Sequence, residues 1–444
     1  MRRYWGTVAL LAFAALLGLY FVFIETPRER ARSDQQQREG RVLSLTEDEV
    51  TKIEIETPTD RLVLERGDGG AWRVSAPVSA EADEGTVRRL LSQLTSLSVV
   101  RPIEDVDDPA ALGLDQPAVR VIAHRFEGRA EVAFGDENPA GSGVYVQRDD
   151  RKVFLTATTA KSTFEVSRDD VRRKEFIDFK PEAVTEIAIT HRGRSVRLHR
   201  EGAEWRMAQP SRTADPDTVS SLLSRLRALR ATGFADTVEQ RDALRVSGKP
   251  RTDIEIIAGD DLMRVAFVAA ADGSLYARAS GDTLYRLNES VVNALPLDAS
   301  ALRDLRVVRA AFDDVRAVDV ERGQERYRVT RGEGGWELDG RLLADEGTRE
   351  VEAMIRSLTA LRGESVAAET PAALPANTFA SPAVRVVLLG TADRQLAAVT
   401  ISAASGERRY AVSESSGPVF SVPPATVERI PSKSALESHL APAS

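Results

Sequence analysis

The feature that most limits what this chain can fold into is a unit spelled three times. Trp72-Arg73-Val74 leads through a short loop to Ala82-Asp83-Glu84-Gly85-Thr86 and then to Val87, Leu90, Leu91, Leu94 and Leu97. The unit returns as Trp205-Arg206-Met207, Ala214-Asp215-Pro216-Asp217-Thr218 and Val219, Leu222, Leu223, Leu226, Leu229. It returns again as Trp336-Glu337-Leu338, Ala344-Asp345-Glu346-Gly347-Thr348 and Val351, Met354, Ile355, Leu358, Leu361. A period of about 130 residues is the size of a whole domain and far longer than a solenoid repeat. Each copy has its own tryptophan, helix stripe and strands, so each can bury a core alone. The expectation is three domains in series, at 45–179, 180–310 and 311–444.

Inside the unit, Val50 to Ile55 and Arg61 to Leu64 alternate at the period of two that sends successive side chains to opposite faces. Arg66-Gly67-Asp68-Gly69-Gly70 then turns the chain into the Trp72 strand. Asp83 suits a helix N-cap, because its carboxylate can accept an orphan backbone N–H. The apolar residues that follow fall on one stripe of a helix over about 84–98. After a loop ending in Gly113-Leu114-Asp115-Gln116-Pro117, strands are expected around Val119–Ala123, Glu131–Phe134, Val144–Val146 and Val153–Leu155. The polar stretch from Thr159 to Lys174 is expected to close the unit as short helices. Strands interrupted by one long helix per unit predict an α+β class, a largely antiparallel sheet with one long amphipathic helix on its face.

Repeat two keeps the register in Val184-Thr185-Glu186-Ile187, Pro210 and Pro250, and repeat three keeps Pro382-Ala383-Val384-Arg385-Val386. The tail from Pro423 to Ser444 is rich in Pro, Ser and Ala and is expected to fray. At the other end, Arg2 and Arg3 precede an uncharged run from Tyr4 to Ile24. At about 1.5 Å per residue such a run spans a bilayer core, and a cleavable signal would have a shorter apolar stretch ending at small residues. Residues 1–24 are therefore expected to form a cytoplasmic tip and transmembrane anchor, and 25–44 a polar linker.

Composition removes several functions. A net charge of −8 lacks the clustered positive charge of a nucleic-acid footprint. With no cysteine, disulfides, thiolate nucleophiles and zinc–thiolate sites are excluded, and four histidines leave little for His-based chemistry.

An N-terminal membrane helix followed by these units resembles the bacterial family called domain of unknown function 4340. The residues carrying the resemblance are Val50 to Ile55, Trp72, Pro77, Ala82-Asp83, Leu90 to Leu97 and Gly113 to Pro117, continued by Phe134-Gly135 and Tyr145. The resemblance implies extracytoplasmic proteins found beside ABC transporters of the gliding-motility type, with no established catalytic residues. On that footing the expected location is the bacterial inner membrane, single-pass, with the bulk of the chain periplasmic. The expected role is a non-catalytic, membrane-anchored scaffold or accessory subunit of a transporter complex, its partners the membrane and envelope or transporter proteins. The alternative is a binding module for cell-wall glycan or peptide, using clefts between repeats.

Candidate chemistry is weighed against architecture in each case. Trp72, Trp205 and Trp336 suit ligand platforms, but recurrence beside a helix stripe favours core. Asp83, Asp215 and Asp345 suggest a triplicated site, and helix capping accounts for all three. Asp105, Asp107, Asp108 and Asp115 lack the glycine of a calcium loop, and Gly67 to Gly70 and Gly332 to Gly335 read as hairpin turns. His191 and His199 flank a turn without converging on a metal. Arg168, Arg172, Arg173 and Lys174, interleaved with Asp169, Asp170 and Glu175, read as a solvated helix face. An enzyme would need carboxylates such as Glu104 and Asp105 to meet another from a different repeat. No catalytic, cofactor or metal residue is therefore assigned.

Overall fold

The structure, a computed structural model, describes residues 40–442 apart from 105, 209–211, 280 and 414–416. The first repeat lays down its sheet as two meanders. Strands β1 (Val50–Glu56), β2 (Arg61–Arg66), β3 (Trp72–Ala76) and β4 (Ala80–Glu81) step from the middle to one edge. Helix α1 (Glu84–Ser96) carries the chain to β5 (Arg101–Ile103) at the opposite edge. Strands β6 (Val119–Arg125), β7 (Arg129–Glu137), β8 (Val144–Arg148) and β9 (Val153–Thr156) then fill the gap between β1 and β5. The order is β4-β3-β2-β1-β6-β7-β8-β9-β5, antiparallel throughout.

Repeat two has the same order. Its strands are β10 (Val184–His191), β11 (Arg194–Glu201), β12 (Glu204–Met207), β13 (Arg212–Ala214), β14 (Gly233–Ala235), β15 (Thr252–Ala258), β16 (Asp261–Ala269), β17 (Leu275–Arg278) and β18 (Leu284–Leu287), with α2 (Pro216–Arg227) between β13 and β14. The third sheet, from Ala317–Arg322 to Val419–Val422, follows the same pattern around α3 (Asp345–Thr359). The chain divides into two compact units, Met1–Arg194 with Leu222–Leu295, and Ser195–Ser221 with Pro296–Ser444.

In the first unit, α1 buries Val87, Leu90, Leu91 and Leu94 in one core with Trp72, Val74 and the inward residues of β1 and β6. In the second, α3 buries Val351, Met354, Ile355 and Leu358 with Trp336. Each such side chain contributes about 1.5–3 kcal/mol on leaving water. The Gly113-Leu114 turn is fixed by close approach. Gly113 sits at φ 70°, and a Cβ there would meet the Asp136 carboxylate at 2.6 Å.

Two expectations are corrected. The α+β class gives way to a mainly β one, since three nine-stranded antiparallel sheets carry the structure and the helices are short. The balance shifts because each sheet is wider than periodicity shows. Strands such as β4 and β5, two and three residues long, are too short to display an alternation. The expected transmembrane anchor at 1–24 lies outside the described residues, as does the linker up to residue 39. Among the described residues no helix is long and apolar enough to cross a membrane. The longest, α3, has fifteen residues and buries one stripe only. The single-pass inner-membrane placement therefore has no support and is set aside.

One edge of each sheet, the one ending in β4 in the first repeat, is covered by the segment that follows the repeat, which keeps that edge from recruiting other strands. In the first unit, Arg172 bridges to Ala82 and the Arg173 N–H donates to the Glu81 carbonyl at 2.9 Å. On its other side the same connector accepts the Ala231 N–H at the Lys174 carbonyl (2.9 Å), and Glu175 bridges to Arg230. The second unit repeats the ladder: Arg303 bridges to Ala214, Arg306 to Arg362, and the Val307 N–H reaches the Leu361 carbonyl at 2.9 Å. In the third repeat the C-terminal segment takes this place, with Leu440 bridging to Leu343 and the Ala344 N–H bonded to the His439 carbonyl at 2.8 Å. The expected frayed tail is thus ordered through the helix Lys433–Glu437, whose Leu436 is fully buried.

Candidate functional site

The tryptophans are architectural: Trp72, Trp205 and Trp336 are 7%, 6% and 2% exposed. Each pairs across its strand with an arginine, Arg66, Arg200 and Arg331. The aspartates diverge. Asp83 caps α1 through the Thr86 N–H at 2.8 Å, while Asp215 accepts the Thr218 hydroxyl at 2.9 Å and pairs with Arg362. At Asp345 capping fails, because α3 starts one residue earlier and its N-cap is Ala344. Burial works to raise the Asp83 carboxyl, but bonds from Thr86 and the charge of Arg230 hold it below its ordinary value.

His191 meets the Thr252 hydroxyl at 2.8 Å and His199 meets Glu201 at 2.9 Å. Asp108 caps a 3-10 turn through the Ala110 N–H at 3.0 Å, and Asp105 lies outside the described residues. Among the described residues no three His, Asp or Glu side chains gather as a metal site. Gly70 and Gly335 take positive φ in their hairpin turns.

The basic cluster departs furthest from expectation. It is an extended connector where a helix face was expected, and Arg172 is buried in it with a side chain 6% exposed. Its Nη1 and Nη2 donate to the two carboxylate oxygens of Asp236 at 2.7 and 3.0 Å, a fork-to-fork pair. The Thr283 hydroxyl donates to the same carboxylate at 3.1 Å. The guanidinium carbon lies 3.7 Å from the centre of the Phe234 ring, a cation–π contact out of water. Phe176, two residues past the cluster, stacks on Tyr285 at 4.8 Å and 23°, and Phe234 meets Tyr285 edge-on at 5.8 Å. Sequence reasoning missed this assembly. The available signal was the return of Arg172 as Arg303 at the period of the repeat.

A cleft of about 680 Å³ opens beside these rings, within the roughly 300–1,000 Å³ of ordinary ligand pockets. Its base is formed by Ile254 and Ile256 of β15 with Met263 and Val265 of β16, and its rim by Glu81, Arg173, Asp178 and Arg264. The rim charges are mutually satisfied. Arg173 meets Glu81 at 2.7 Å and Asp178 at 3.6 Å, Arg264 donates from Nε to Asp253 at 2.9 Å, and Glu175 pairs with Arg230. Burial pushes the Tyr285 hydroxyl above its ordinary value, so it stays protonated at neutral pH.

The domain of unknown function DUF4340 matches residues 72–248 and 265–382. The chain belongs to the DUF4340 family. No curated protein and no solved structure matches it. The DUF4340 match does not follow the repeat boundaries. Its first stretch opens on Trp72 and runs through the connector to include Arg172, Phe176, Phe234 and Asp236, and its second includes Arg303.

Proposed function

We propose that this DUF4340 chain is a non-catalytic scaffold that docks a partner protein in the cleft at the joint between its first two repeats. The partner class that the family resemblance points to is a subunit of an ABC transporter complex. The observation carrying the reading is the cleft itself: a concave space with an apolar base and a rim of paired charges, lined also by Arg172, which is buried against Asp236. The rim carboxylates face arginines instead of one another, so no acid–base pair is set for chemistry.

The alternative, a glycan module, needs an open aromatic face for a sugar ring. Phe176 and Tyr285 cover one face of each other, and Arg172 covers one face of Phe234. This arrangement favours a protein partner. A photo-crosslinking amino acid at Ala279, in the cleft, and at Glu127, on the exposed β6–β7 turn, tests it in the full chain in its source cells. The expected result is a discrete protein adduct from position 279 and none from 127. No adduct at 279, or one that a wall-digesting muramidase removes, overturns the reading.

A further inference from the structure

We infer that the occupant of the cleft is an uncharged, extended peptide segment that presents one bulky aliphatic or aromatic side chain to Met263 and to the edges of Phe176, Phe234 and Tyr285. The inference rests on the docking reading and specifies the chemistry of what docks.

Three observations converge on it. The first is charge: Arg172, Arg173, Arg264 and Glu175 already hold ion-pair partners from this chain. A charged ligand would compete with those pairs, and taking Arg172 would strand the Asp236 carboxylate, 14% exposed, away from water. The second is shape. Phe176 and Tyr285 each give one face to the other, Phe234 gives one face to Arg172, and the ring edges lie beside the Met263 thioether in the cleft lining, surfaces that suit an apolar side chain. The third is the rim, where Leu262 is 67% exposed beside Met263 and extends the apolar surface outward. The Tyr285 hydroxyl, which has no hydrogen bond among the described residues, is a polar handle that suits a peptide carbonyl.

The methionines supply the test. The chain has four, and Met263 lines the cleft while Met207 and Met354 are buried elsewhere. Full-length chain labelled with methyl-13C methionine is titrated with acetyl-Ala-X-Ala-amide, X being Leu, Phe, Ala, Lys or Glu, and with the trimer of N-acetylglucosamine. The Leu and Phe peptides are expected to shift the Met263 resonance at concentrations at least about tenfold lower than the Lys, Glu and Ala peptides, the transfer of one large apolar side chain setting the scale. Raising NaCl should change that affinity by less than about twofold, because no charge pairs across the interface. Tyr285→Phe, which removes only the hydroxyl, should weaken binding by about threefold to tenfold.

Tighter binding of the Lys or Glu peptide, loss of binding in salt, or an equal shift from the sugar trimer overturns the inference. If the Leu and Phe peptides leave Met263 unmoved while the crosslink from position 279 still forms, the stated chemistry is wrong and the docking role stands. If neither occurs, both fall.

Discussion

The two joints share a backbone ladder and bury different things. Arg172 and Arg303 stand at the same bridge, each opposite the alanine that precedes a long helix. The partner of Arg172 is Asp236, 14% exposed, whose carboxylate also accepts the Thr283 hydroxyl. The partner of Arg303 is Glu369, 52% exposed and shared with Arg212 at 2.6 Å. Beside the first arginine lie Phe176, Phe234 and Tyr285; the corresponding places in the second joint hold Val307, Val366 and Phe420, with Val307 and Phe420 each 3% exposed. One residue further on, Arg173 reaches outward to Glu81, whereas Asp304 is buried and accepts bonds from Arg306 and an ion pair from Arg309. Backbone hydrogen bonds are indifferent to side-chain type, so triplication preserved the ladder while the side chains at one joint became free to hold a cleft.

If burial separates the joints, the arginines should differ in what they contribute. Arg172→Ala leaves a carboxylate buried and unpaired, and should cost about 3–5 kcal/mol. Arg303→Ala leaves Glu369 in water and should cost roughly 1 kcal/mol. Hydrogen exchange at the Asp83 N–H, bonded to the Val171 carbonyl, and at the Asp215 N–H, bonded to the Leu302 carbonyl, reads the two losses separately. Equal losses, or a larger one at Arg303, would break the comparison.

The ladder explains what a reader of the sequence can and cannot see. The triplication, the Trp72 core position and the stripe Val87, Leu90, Leu91, Leu94 are legible because periods of two and 3.6 act within a few residues. The edges β4 and β5 are not, because so short a strand exists only through its neighbours. Asp345 carries the letter of a cap without the geometry, since the helix takes it in as its first residue and leaves Ala344 at the N-cap. Arg172 is the sharpest case. Flanked by Asp169, Asp170 and Glu175 it reads as a solvated face, and its burial depends on Asp236 and Phe234, more than sixty residues on in the chain. The cleft was illegible for the same reason, as its base comes from β15 and β16 and its rings from three separate segments.

Acid should separate two aspartates of opposite sign. Burial pushes the Asp169 carboxyl up, and its Oδ1 makes no hydrogen bond among the described residues, the Arg168 Nε lying 3.6 Å away. Its ionised form therefore opposes folding: stability is full below the ordinary carboxylate range and falls as pH rises through the elevated value. Burial also works against Asp304, but hydrogen bonds from Arg306 and the charges of Arg306 and Arg309 outweigh it and hold that carboxyl low. Its contribution is present above the ordinary value and disappears as pH drops through the lowered one. Asp304→Asn should cost about 2 kcal/mol at pH 7 and nothing in strong acid. Asp169→Asn should gain a few tenths of a kcal/mol at pH 7, discounted for the residue's partial exposure, and the gain should vanish below the ordinary carboxylate range. Denaturation midpoints across pH check both, and parallel profiles would dissolve the distinction.

The smallest effect tests the origin of the difference most directly. Screening acts on charges that water reaches, with a Debye length of about 10 Å at 0.1 M salt, and hardly on a pair enclosed by protein. At the second joint Glu369 is half exposed between Arg303 and Arg212. Raising NaCl toward 1 M should weaken protection of the Asp215 N–H by a few tenths of a kcal/mol. At the first joint Arg172 sits between the Phe234 ring and Asp236, so the Asp83 N–H should lose less, the exposed Arg230–Asp83 contact at 3.4 Å and the exposed Arg173–Glu81 pair being the parts of this joint open to salt. Arg230→Gln together with Glu81→Gln removes both, and in this background the salt response at Asp83 should flatten while the response at Asp215 is unchanged. A response that persists would mean that ions reach the Arg172–Asp236 pair, and the cleft would then be open to charged ligands as well.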